Sequence, residues 1–567
     1  MTEPMAHSGE SKVNPATLIG EHTTAGDDVI VVDGSSTLSL GPDALVLTRS
    51  THTKPKRTCG FIPTSKEPRQ VTAAPERHLL VPLLTSSPLE APANVESIPL
   101  YNVLWAELSS PSTLTIDYAT QLNAKKIGVA KWTLSVEDGH AESIGRWTEN
   151  LLKRAYGPAK LRKRAKVLVN PHAGPGGADR LWEQEAKPIF EAARMVLDVA
   201  RTKYSGEAVE IAQSTDIDAY DTIVACSGDG LPHEIFNGLG KRPDARKALA
   251  KLAVSHIPCG SGNAMSCNLY GTHRASFAAL AIVKGVSTPM DLVSITQGDR
   301  RILSFLSQAL GIVAESDLAT EHLRWMGEAR FTYGFLVRLF KKKVYPCDVA
   351  VKVEIEHKDG VKEHYRRVRS YHSLTTLGNG NGSGEGMENG VQPMVKEAGD
   401  SGSSVAATTS DEALPPLKYG TINDKLPEGW ELVSYDKMGN FYCGNMAYMA
   451  PDANFFSAAC ANDGLMDLVC IDGDVSPMTS INLLLSVESG TFFDNPLVSY
   501  RKIKAFRIIP RDQEDGFISI DGERVPFEPF QAEVHRGLGT VISKSGDFEA
   551  PGPKDWDTVT MADRLMA

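Results

Sequence analysis

A chain of 567 residues exceeds what one compact core supports, so its length predicts about two to four domains. Its composition, 42% hydrophobic and 23% charged, excludes a wholly disordered protein, because such proteins are less hydrophobic and more highly charged. The net charge of −11 argues against nucleic acid as a partner, since proteins that bind nucleic acid carry a basic face to neutralise phosphates.

The chain carries no recognisable export signal. Its first residues, MTEPMAHSGESK, lack both a basic and an apolar region, and no apolar run of about 18 residues or more occurs anywhere. The eight cysteines are scattered, without the paired spacing of a zinc site or the density of a disulfide scaffold. We therefore expect a cytoplasmic protein with reduced thiols and no membrane span.

The N-terminal part is predicted to hold a leader and a small accessory module. Residues 1–95 are rich in Ser, Thr, Pro and Gly and predict a largely disordered leader, with a few strands at most in apolar runs such as 29–32 and 44–47. Apolar and polar residues then alternate, which indicates a β-containing accessory module over 96–160. A helix is expected near its end, where Ile144, Trp147 and Leu151 recur at helical spacing.

Residues 161–345 repeat a pattern of strand, glycine-rich turn and helix. The compact apolar runs 166–170, 222–226 and 253–257 are typical of buried parallel strands, and helical stretches separate them, notably 179–195 and 231–239. This alternation predicts an open α/β sheet that holds a ligand at the loops after its strands.

Residues 346–545 predict a β-rich, sandwich-like lobe. Asp359-Gly360 suggests a hairpin within 350–369. The stretch 378–416 has few large apolar residues and predicts a flexible insertion, after which strand patterns resume. Residues 546–567 form a C-terminal tail.

Three glycine-rich turns follow the three predicted strands, at 170–177, 227–231 and 259–263. Each places backbone N–H groups near a helix start, where phosphate oxygens bind well. A single turn of this kind is more typical of a tight strand-to-helix connection than of a phosphate-binding loop. Three in succession predict one common crevice, so the α/β lobe is interpreted as nucleotide-binding, although neither a Walker lysine motif nor GxGxxG is present.

Five motifs together resemble one family of lipid kinases. SGDGLPHEIFNGL (227–239) resembles the signature of sphingosine kinases, members of the diacylglycerol kinase catalytic superfamily. VLVNPHAGPGG and IPCGSGNAMS resemble the family's first and third nucleotide loops, GIVAESDLATEHLRWMGEARFTYG (311–334) its lipid-recognition segment, and ISIDGE (518–523) its tail motif. The resemblance implies a kinase that uses ATP and Mg²⁺ to phosphorylate the primary hydroxyl of a sphingoid long-chain base.

By the same resemblance, Asp229 is the general base for the substrate hydroxyl. Since a carboxylate is a weak base for an alcohol, proton transfer should be late and coupled to phosphoryl transfer. The alternative is an Asp that only caps the following helix. Contacts to the nucleotide are implied for a larger set: Asn170, Thr202, Ser227, Gly228, Gly230, Ser261, Gly262, Glu321, Arg324, Arg330, Asp521, Gly522 and Glu523.

Several of these residues also have purely structural interpretations. Asp317 and Ser307 match the residues that recognise the lipid head group, yet Asp317 also resembles a helix N-cap. Glu321 and Arg324 share a helix face and would equally form a surface ion pair. Asp521-Gly522 in isolation is typical of a turn.

The lipid substrate implies an apolar pocket and a membrane surface. Wall residues of the pocket are expected within 441–470 and 481–498, and the basic run 153–166 is either a peripheral membrane-binding surface or a solvated interdomain segment. Two other functions remain open: a ceramide or diacylglycerol kinase with the same catalytic loop, and a non-catalytic lipid-binding scaffold.

Overall fold

The computed structural model describes residues 28–49, 95–320, 343–378 and 412–550, with single gaps at 138, 175 and 514, together with residues 333, 334, 337, 552 and 553. Of the predicted site residues, Glu321, Arg324 and Arg330 lie outside the described residues, as do most of the predicted leader and of the insertion. The chain divides into two compact units, the first made of 1–116 and 131–155 and the second of 117–130 and 156–567.

The first unit is built mainly from short antiparallel strands. Four of them form a sheet in chain order, β1 (Val29–Val32), β2 (Ser36–Leu40), β3 (Ala44–Thr48) and β4 (Val95–Pro99). Next along the chain come a second sheet, made of β5 (Val103–Ser110), β6 (Thr113–Asn123) and β7 (Lys126–Ser135), and then helix α1 (Ala141–Tyr156). Residues 117–130 and 156 of these elements are counted with the second unit. Alternate residues of β2 and β3 are buried, as the period of a strand requires.

The accessory module begins earlier than its sequence pattern indicated. Leu45 of β3 pairs with Ile98 of β4, so residues 28–49 and 95–99 share one sheet. The predicted boundary at residue 96 is therefore corrected to about residue 28. The apolar runs at 29–32 and 44–47 do form strands, but each is too short to indicate by itself which distant strand it pairs with.

The second unit starts with a parallel sheet in the order β9-β8-β10-β11. Helices connect these strands, and Trp182–Ala186 forms one π-helical turn between the first two of these helices. The strands are β8 (Arg164–Val169), β9 (Val196–Arg201), β10 (Thr222–Ser227) and β11 (Ala253–Pro258). The helices are α2 (Ala178–Leu181), α3 (Lys187–Ala192), α4 (Glu207–Ser214), α5 (Gly230–Gly240), α6 (Ala245–Lys251), α7 (Ala264–Tyr270) and α8 (Ala275–Lys284). The predicted open α/β sheet is confirmed.

The rest of the second unit is rich in strands, all of which belong to the same sheet except β18 and β19, which pair only with each other. Its strands are β12 (Val286–Gln297), β13 (Arg300–Ser304), β14 (Ser307–Gly311), β15 (Cys347–Ile355), β16 (Leu432–Tyr435), β17 (Met438–Gly444), β18 (Tyr448–Ala450), β19 (Ala453–Asn454), β20 (Met466–Asp472), β21 (Ser499–Pro510), β22 (Ile518–Ile520), β23 (Glu523–Val525) and β24 (Phe530–Ser543). Its helices are α9 (Ile312–Leu318), α10 (Lys358–Gly378) and α11 (Pro477–Glu488). Phe441, Phe506 and Phe530 pack against one another in its central apolar core, with their rings tilted or edge-on.

Strand β24 joins the two parts of this unit. It lies parallel to β11, with Val541 opposite Val254, and antiparallel to β12 and β21. Because β12 already pairs with β24, the chain enters the β-rich part near residue 286, and the predicted boundary at 345 is wrong. Pairing between strands more than two hundred residues apart leaves no local signal in a sequence.

The predicted hairpin at 350–369 is also wrong. The chain forms β15 and then the long helix α10. Val361 and Tyr365 lie four residues apart on one face of this helix and are buried in the core. Their burial outweighs the local preference of Asp359-Gly360 for a turn.

A buried lysine links two strands of the β-rich part. The ammonium of Lys502 on β21 lies 3.0 Å from a carboxylate oxygen of Asp463 and 3.0 Å from one of Asp467. Tyr500 donates a hydrogen bond of 2.7 Å to Asp467, and His364 lies 2.9 Å from Asp463. The two carboxylates raise the pKa of Lys502 although burial opposes them.

Replacing Lys502 by methionine should destabilise the protein by about 3 to 5 kcal/mol, because two buried carboxylates lose their cation. The matched control is Lys504→Met on the same strand, whose ion pair with Glu354 is partly exposed and should be worth about 0 to 1 kcal/mol. The free energy of unfolding in urea checks both variants. Equal, small losses for the two lysines would contradict the inference.

Candidate functional site

The glycine-rich turns and Thr202 lie at one edge of the parallel sheet. Asn170 follows β8, Thr202 follows β9, Gly228 follows β10 and Cys259 follows β11. Backbone bonds join neighbouring turns, since the Asn170 N–H donates to the Cys226 carbonyl and the Cys259 N–H to the Ser227 carbonyl. Because parallel strands present their carboxyl ends on the same side, the four turns face one region.

The three glycine-rich turns touch each other through their backbones. A Cβ atom on Gly260 would lie 2.5 Å from the Gly228 Cα, and one on Gly174 would lie 2.6 Å from the Cys259 carbonyl oxygen. Real Cβ atoms do not approach so closely, so only glycine allows this packing. The predicted convergence of the three turns is confirmed.

A cleft of about 720 Å³ opens at these turns. It also receives residues of the β-rich part, so both parts of the second unit contribute to it. All the predicted site residues within the described ranges line the cleft: Asn170, Thr202, Ser227, Gly228, Asp229, Gly230, Ser261, Gly262, Ser307, Asp317, Asp521, Gly522 and Glu523. The roles assigned to them from the sequence remain predictions.

Asp229 connects the second turn to helix α7. It precedes α5 but its side chain makes no capping hydrogen bond to that helix. Its two carboxylate oxygens instead accept hydrogen bonds of 3.0 Å from the N–H groups of Ala264 and Met265, in the first turn of α7. The alternative of a residue that caps the following helix is therefore excluded, and the half-buried carboxylate is held in a defined orientation beside the cleft.

Asp521 borders the cleft and also holds the turn between β13 and β14. Its buried carboxylate accepts hydrogen bonds from the N–H groups of Phe305, Leu306 and Ser307, at 2.9 to 3.0 Å, and from the Ser304 hydroxyl at 2.5 Å. These bonds fix the turn between β13 and β14. Asp521 thus positions this turn, and its contact with the nucleotide stays a prediction.

Glu523, two residues further, lies on the exposed side of the same segment. Its carboxylate oxygen is 2.6 Å from where a Cβ of Gly230 would lie, so it borders the second glycine-rich turn. Of the two acidic residues in the tail motif, Glu523 is the one that faces the cleft with an accessible side chain.

His233 contacts the site through Asp521 without lining the cleft itself, and the sequence analysis did not single it out. Its Nδ1 lies 2.8 Å from the Asp521 carboxylate, and it stands one helical turn after Asp229 on α5. Burial lowers the pKa of His233 and the hydrogen bond with Asp521 raises it, with a net increase. The spacing of four residues from Asp229 is the only hint that the sequence contains, because Asp521 is distant along the chain.

Three polar side chains gather on the opposite wall of the cleft, from β14, α9 and β17. The Tyr442 hydroxyl is hydrogen-bonded to Ser307. Burial raises the pKa of Tyr442, and the nearby charge of the Asp317 carboxylate contributes to raising it. Asp317 belongs to the last turn of α9, whose N-cap is Gly311, so it is not the N-cap considered from the sequence. Tyr442 lay inside the predicted pocket segment 441–470 but was not singled out.

Beyond these groups the cleft becomes apolar. Val313, Met449, Phe455, Leu484 and Leu485 line it there. A second cavity of about 70 Å³ shares three of these side chains and reaches further among apolar residues of β20 and α11. The walls come largely from the two segments that the sequence indicated.

The basic run 153–166 mostly serves local structure. Lys160 and Arg164 both pair with Asp221, at 2.8 and 3.0 Å. Lys163 is buried and donates to the Val283 carbonyl, while Lys166 pairs with Asp198. These partners favour the structural interpretation of the run over a membrane-binding one. In the described part of the chain, no helix is both long and apolar enough to cross a bilayer.

Comparison with known proteins identifies the class and then the family. The sequence model of the diacylglycerol kinase catalytic domain matches residues 164–295, and that of a domain of unknown function, DUF7493, matches 28–157. A solved structure, a putative diacylglycerol kinase from Bacillus anthracis, is 17% identical with a TM-score of 0.43, covering 68% of this chain and 97% of that one.

Two curated fungal proteins are more similar in sequence. Sphingoid long chain base kinase 4 of Schizosaccharomyces pombe is 32% identical over 82% of this chain and 92% of its own length. Sphingoid long chain base kinase 5 of Saccharomyces cerevisiae is 37% identical over 70% of this chain, which spans 62% of that protein. The chain belongs to the sphingoid long chain base kinase family, within the diacylglycerol kinase catalytic class.

Gly260→Ala should destabilise the protein by about 1 to 3 kcal/mol, because the added methyl group overlaps the Gly228 backbone. Gly145→Ala on α1 is the matched control, since no atom lies within 4 Å of its Cβ position, and it should be neutral or slightly stabilising. Thermal and urea unfolding measure both. A Gly260 variant as stable as the control would refute the close backbone contact.

Proposed function

We propose that this protein transfers the γ-phosphate of ATP to the primary hydroxyl of a sphingoid long-chain base, giving the base 1-phosphate. The observation that carries the proposal is a single cleft whose wall passes from three glycine-rich turns through Asp229 to the polar group of Ser307, Asp317 and Tyr442, and then to apolar side chains. The names of the fungal relatives support the same reaction.

The glycine-rich end suits the phosphates of ATP. Gly228, Gly260 and Gly262 leave backbone N–H groups unshielded by side chains, and the N-terminus of α5 adds its positive dipole end. Catalysis of phosphoryl transfer depends chiefly on positioning the reactants and on stabilising the negative charge of the phosphates. Rigidly held backbone N–H donors contribute to both.

Asp229 is proposed as the general base. Its two hydrogen bonds to α7 fix the carboxylate at the border between the phosphate turns and the rest of the cleft. There it would orient the lipid hydroxyl for attack on the γ-phosphorus and accept its proton as the new P–O bond forms. The expected share of the rate enhancement is about 10²- to 10⁴-fold.

Mg²⁺ fits the carboxylates at this end of the cleft. The described residues contain no cluster of three or more His, Cys, Asp or Glu side chains arranged for a metal. Mg²⁺ bound to nucleotide phosphates, however, needs only one or two protein carboxylates. We propose Glu523, which borders Gly230, as the residue that holds it, with Asp229 nearby in the cleft. When bound, the ion neutralises charge on the phosphates.

The head-group end favours a sphingoid base over other lipids. A carboxylate such as Asp317 is a suitable partner for the protonated amine of a free long-chain base, and Ser307 and Tyr442 supply hydroxyl groups beside it. Ceramide and diacylglycerol carry no such cation. A non-catalytic scaffold would not require Asp229 and three phosphate turns in the same cleft.

We also propose that the enzyme acts from the cytoplasm at a membrane surface. Helix α11 forms part of the apolar end of the cleft, and two of its side chains, Met478 and Leu485, are 66% and 56% exposed. Exposed apolar side chains at the mouth of a lipid-binding cleft favour contact with a bilayer.

Asp229→Asn should lower kcat by about 10²-fold or more, because the amide cannot accept the proton. One acceptor oxygen remains for α7, so ATP affinity and thermal stability should change little. A labelled ATP·Mg²⁺ assay with nucleotide binding measured in parallel distinguishes the roles. Full activity would remove Asp229 from catalysis, whereas loss of the fold would show that its bonds to α7 are mainly structural.

Asp317→Asn should lower kcat/KM for a free sphingoid base by roughly 10- to 150-fold, the value of one charged hydrogen bond, while ATP affinity stays unchanged. Glu315→Gln is the matched control on α9, because Glu315 pairs with Lys343 and does not line the cleft. The panel should contain sphingosine, dihydrosphingosine, phytosphingosine, ceramide and diacylglycerol. Equal wild-type rates on ceramide or diacylglycerol would overturn the substrate assignment and leave the kinase assignment standing.

A further inference from the structure

A second large cavity lies away from the proposed kinase cleft. It has a volume of about 500 Å³, within the range of about 300 to 1,000 Å³ that is usual for small-molecule sites. Its walls come from α6, β21, β24 and the segment 415–419, and none of its lining residues lines the cleft described above. The family assignment and the proposed reaction leave this cavity without a role.

The cavity is rich in cations although the chain as a whole is acidic. Four cationic side chains line it, Arg246, Lys418, Lys504 and Arg536, against one carboxylate, that of Glu533. Lys504 is paired with a glutamate of β15 at 2.9 Å. Within the described ranges, Arg246 and Lys418 have no carboxylate partner, so both charges are available to a ligand.

The one lining carboxylate is already engaged. Glu533 is buried, and its two oxygens accept hydrogen bonds of 3.0 Å from the N–H groups of Lys418 and Tyr419. Glu533 therefore fixes the segment that carries Lys418, and the negative charge of Glu533 faces the backbone of that segment. Asp291 lies beneath the same wall and accepts hydrogen bonds from the N–H groups of Gly464 and Gly537, two lining residues. Burial raises the pKa of Asp291 to about 8, which reduces its negative charge at neutral pH.

The imidazole of His535 adds a neutral polar group to the wall. Burial, Arg301 and Arg246 together lower its pKa to about 4. Its Nε2 lies 2.9 Å from the Ser294 hydroxyl and 3.4 Å from the Arg301 guanidinium. Arg301 also donates to the Pro415 carbonyl, so β13 holds the loop in place from behind. The cationic wall is thus braced by hydrogen bonds on two sides.

We propose that this cavity binds a phosphate monoester, with Arg246 and Lys418 as its principal contacts. A guanidinium matches two phosphate oxygens at once, and an ammonium adds a point charge. The volume exceeds that of phosphate alone, so the cavity leaves room for the group esterified to the phosphate. This inference concerns a site separate from the proposed kinase cleft and does not depend on the substrate assignment.

The test uses the full-length protein with its cleft saturated by a non-hydrolysable ATP analogue and Mg²⁺. The glycine-rich turns are then occupied and cannot bind the probes. Glucose 6-phosphate and inorganic phosphate serve as probes in calorimetric titrations. Arg246→Ala combined with Lys418→Ala should weaken binding of glucose 6-phosphate at least about tenfold, as expected for loss of charge-assisted bonds. Lys247→Ala, an exposed neighbour on α6 that does not line the cavity, is the control and should bind as the wild type does.

Vesicles of phosphatidylcholine with and without phosphatidic acid distinguish a lipid head group from a soluble ester. Binding only to phosphatidic acid vesicles, lost in the double variant and kept in the control, would support the site with a lipid as the source of the phosphate. No binding of any probe to the wild type in the presence of the ATP analogue, or equal binding by all variants, would overturn the proposal. The kinase activity of the variants with a sphingoid base tests the proposed kinase cleft separately from the cavity.

Discussion

The close backbone contact among the three glycine-rich turns is the constraint on which the site depends. A Cβ atom on Gly260 would lie 2.5 Å from the Gly228 Cα, so position 260 accepts only glycine, and this close approach sets the distance between the starts of α5 and α7. That distance allows the Asp229 carboxylate to reach the N–H groups of Ala264 and Met265. The proposed base is therefore positioned by two helices whose separation the glycines determine.

The continuous sheet connects these turns rigidly to the apolar end of the cleft. Strand β24 borders β11 on one side and pairs with β12 and β21, so the parallel strands and the β-rich part form one framework. Asp521 then gathers four donors from the turn before β14 and a fifth from His233 on α5. Ser307, on the polar wall of the cleft, is in this way linked to α5, the helix that follows the second glycine-rich turn.

Two buried charges in the described part of the chain, those of Lys502 and Asp521, are compensated by their partners. Lys502 has two carboxylates, and Asp521 has five hydrogen-bond donors, so each behaves as a structural element whose cost of desolvation is offset by its partners. The cationic cavity differs, because Arg246 and Lys418 point toward open space beside carboxylates that are already engaged. This contrast separates the charges that hold the fold from those available to a ligand.

The sequence by itself determined what depends on neighbouring residues. Apolar runs and glycine spacing indicated β8, β10 and β11, and the Gly-Asp-Gly turn indicated Asp229. Only the tertiary structure decided the contacts that join distant segments: β12 with β24, Asp521 with its turn, and Tyr442 with Ser307. The same limit explains the false hairpin, because Asp359-Gly360 favours a turn locally whereas α10 is stabilised by burying side chains against strands far along the chain. Local sequence patterns indicate which backbone conformation a segment prefers. Which side chains become buried depends on segments that are distant in sequence and pack together only in the folded chain.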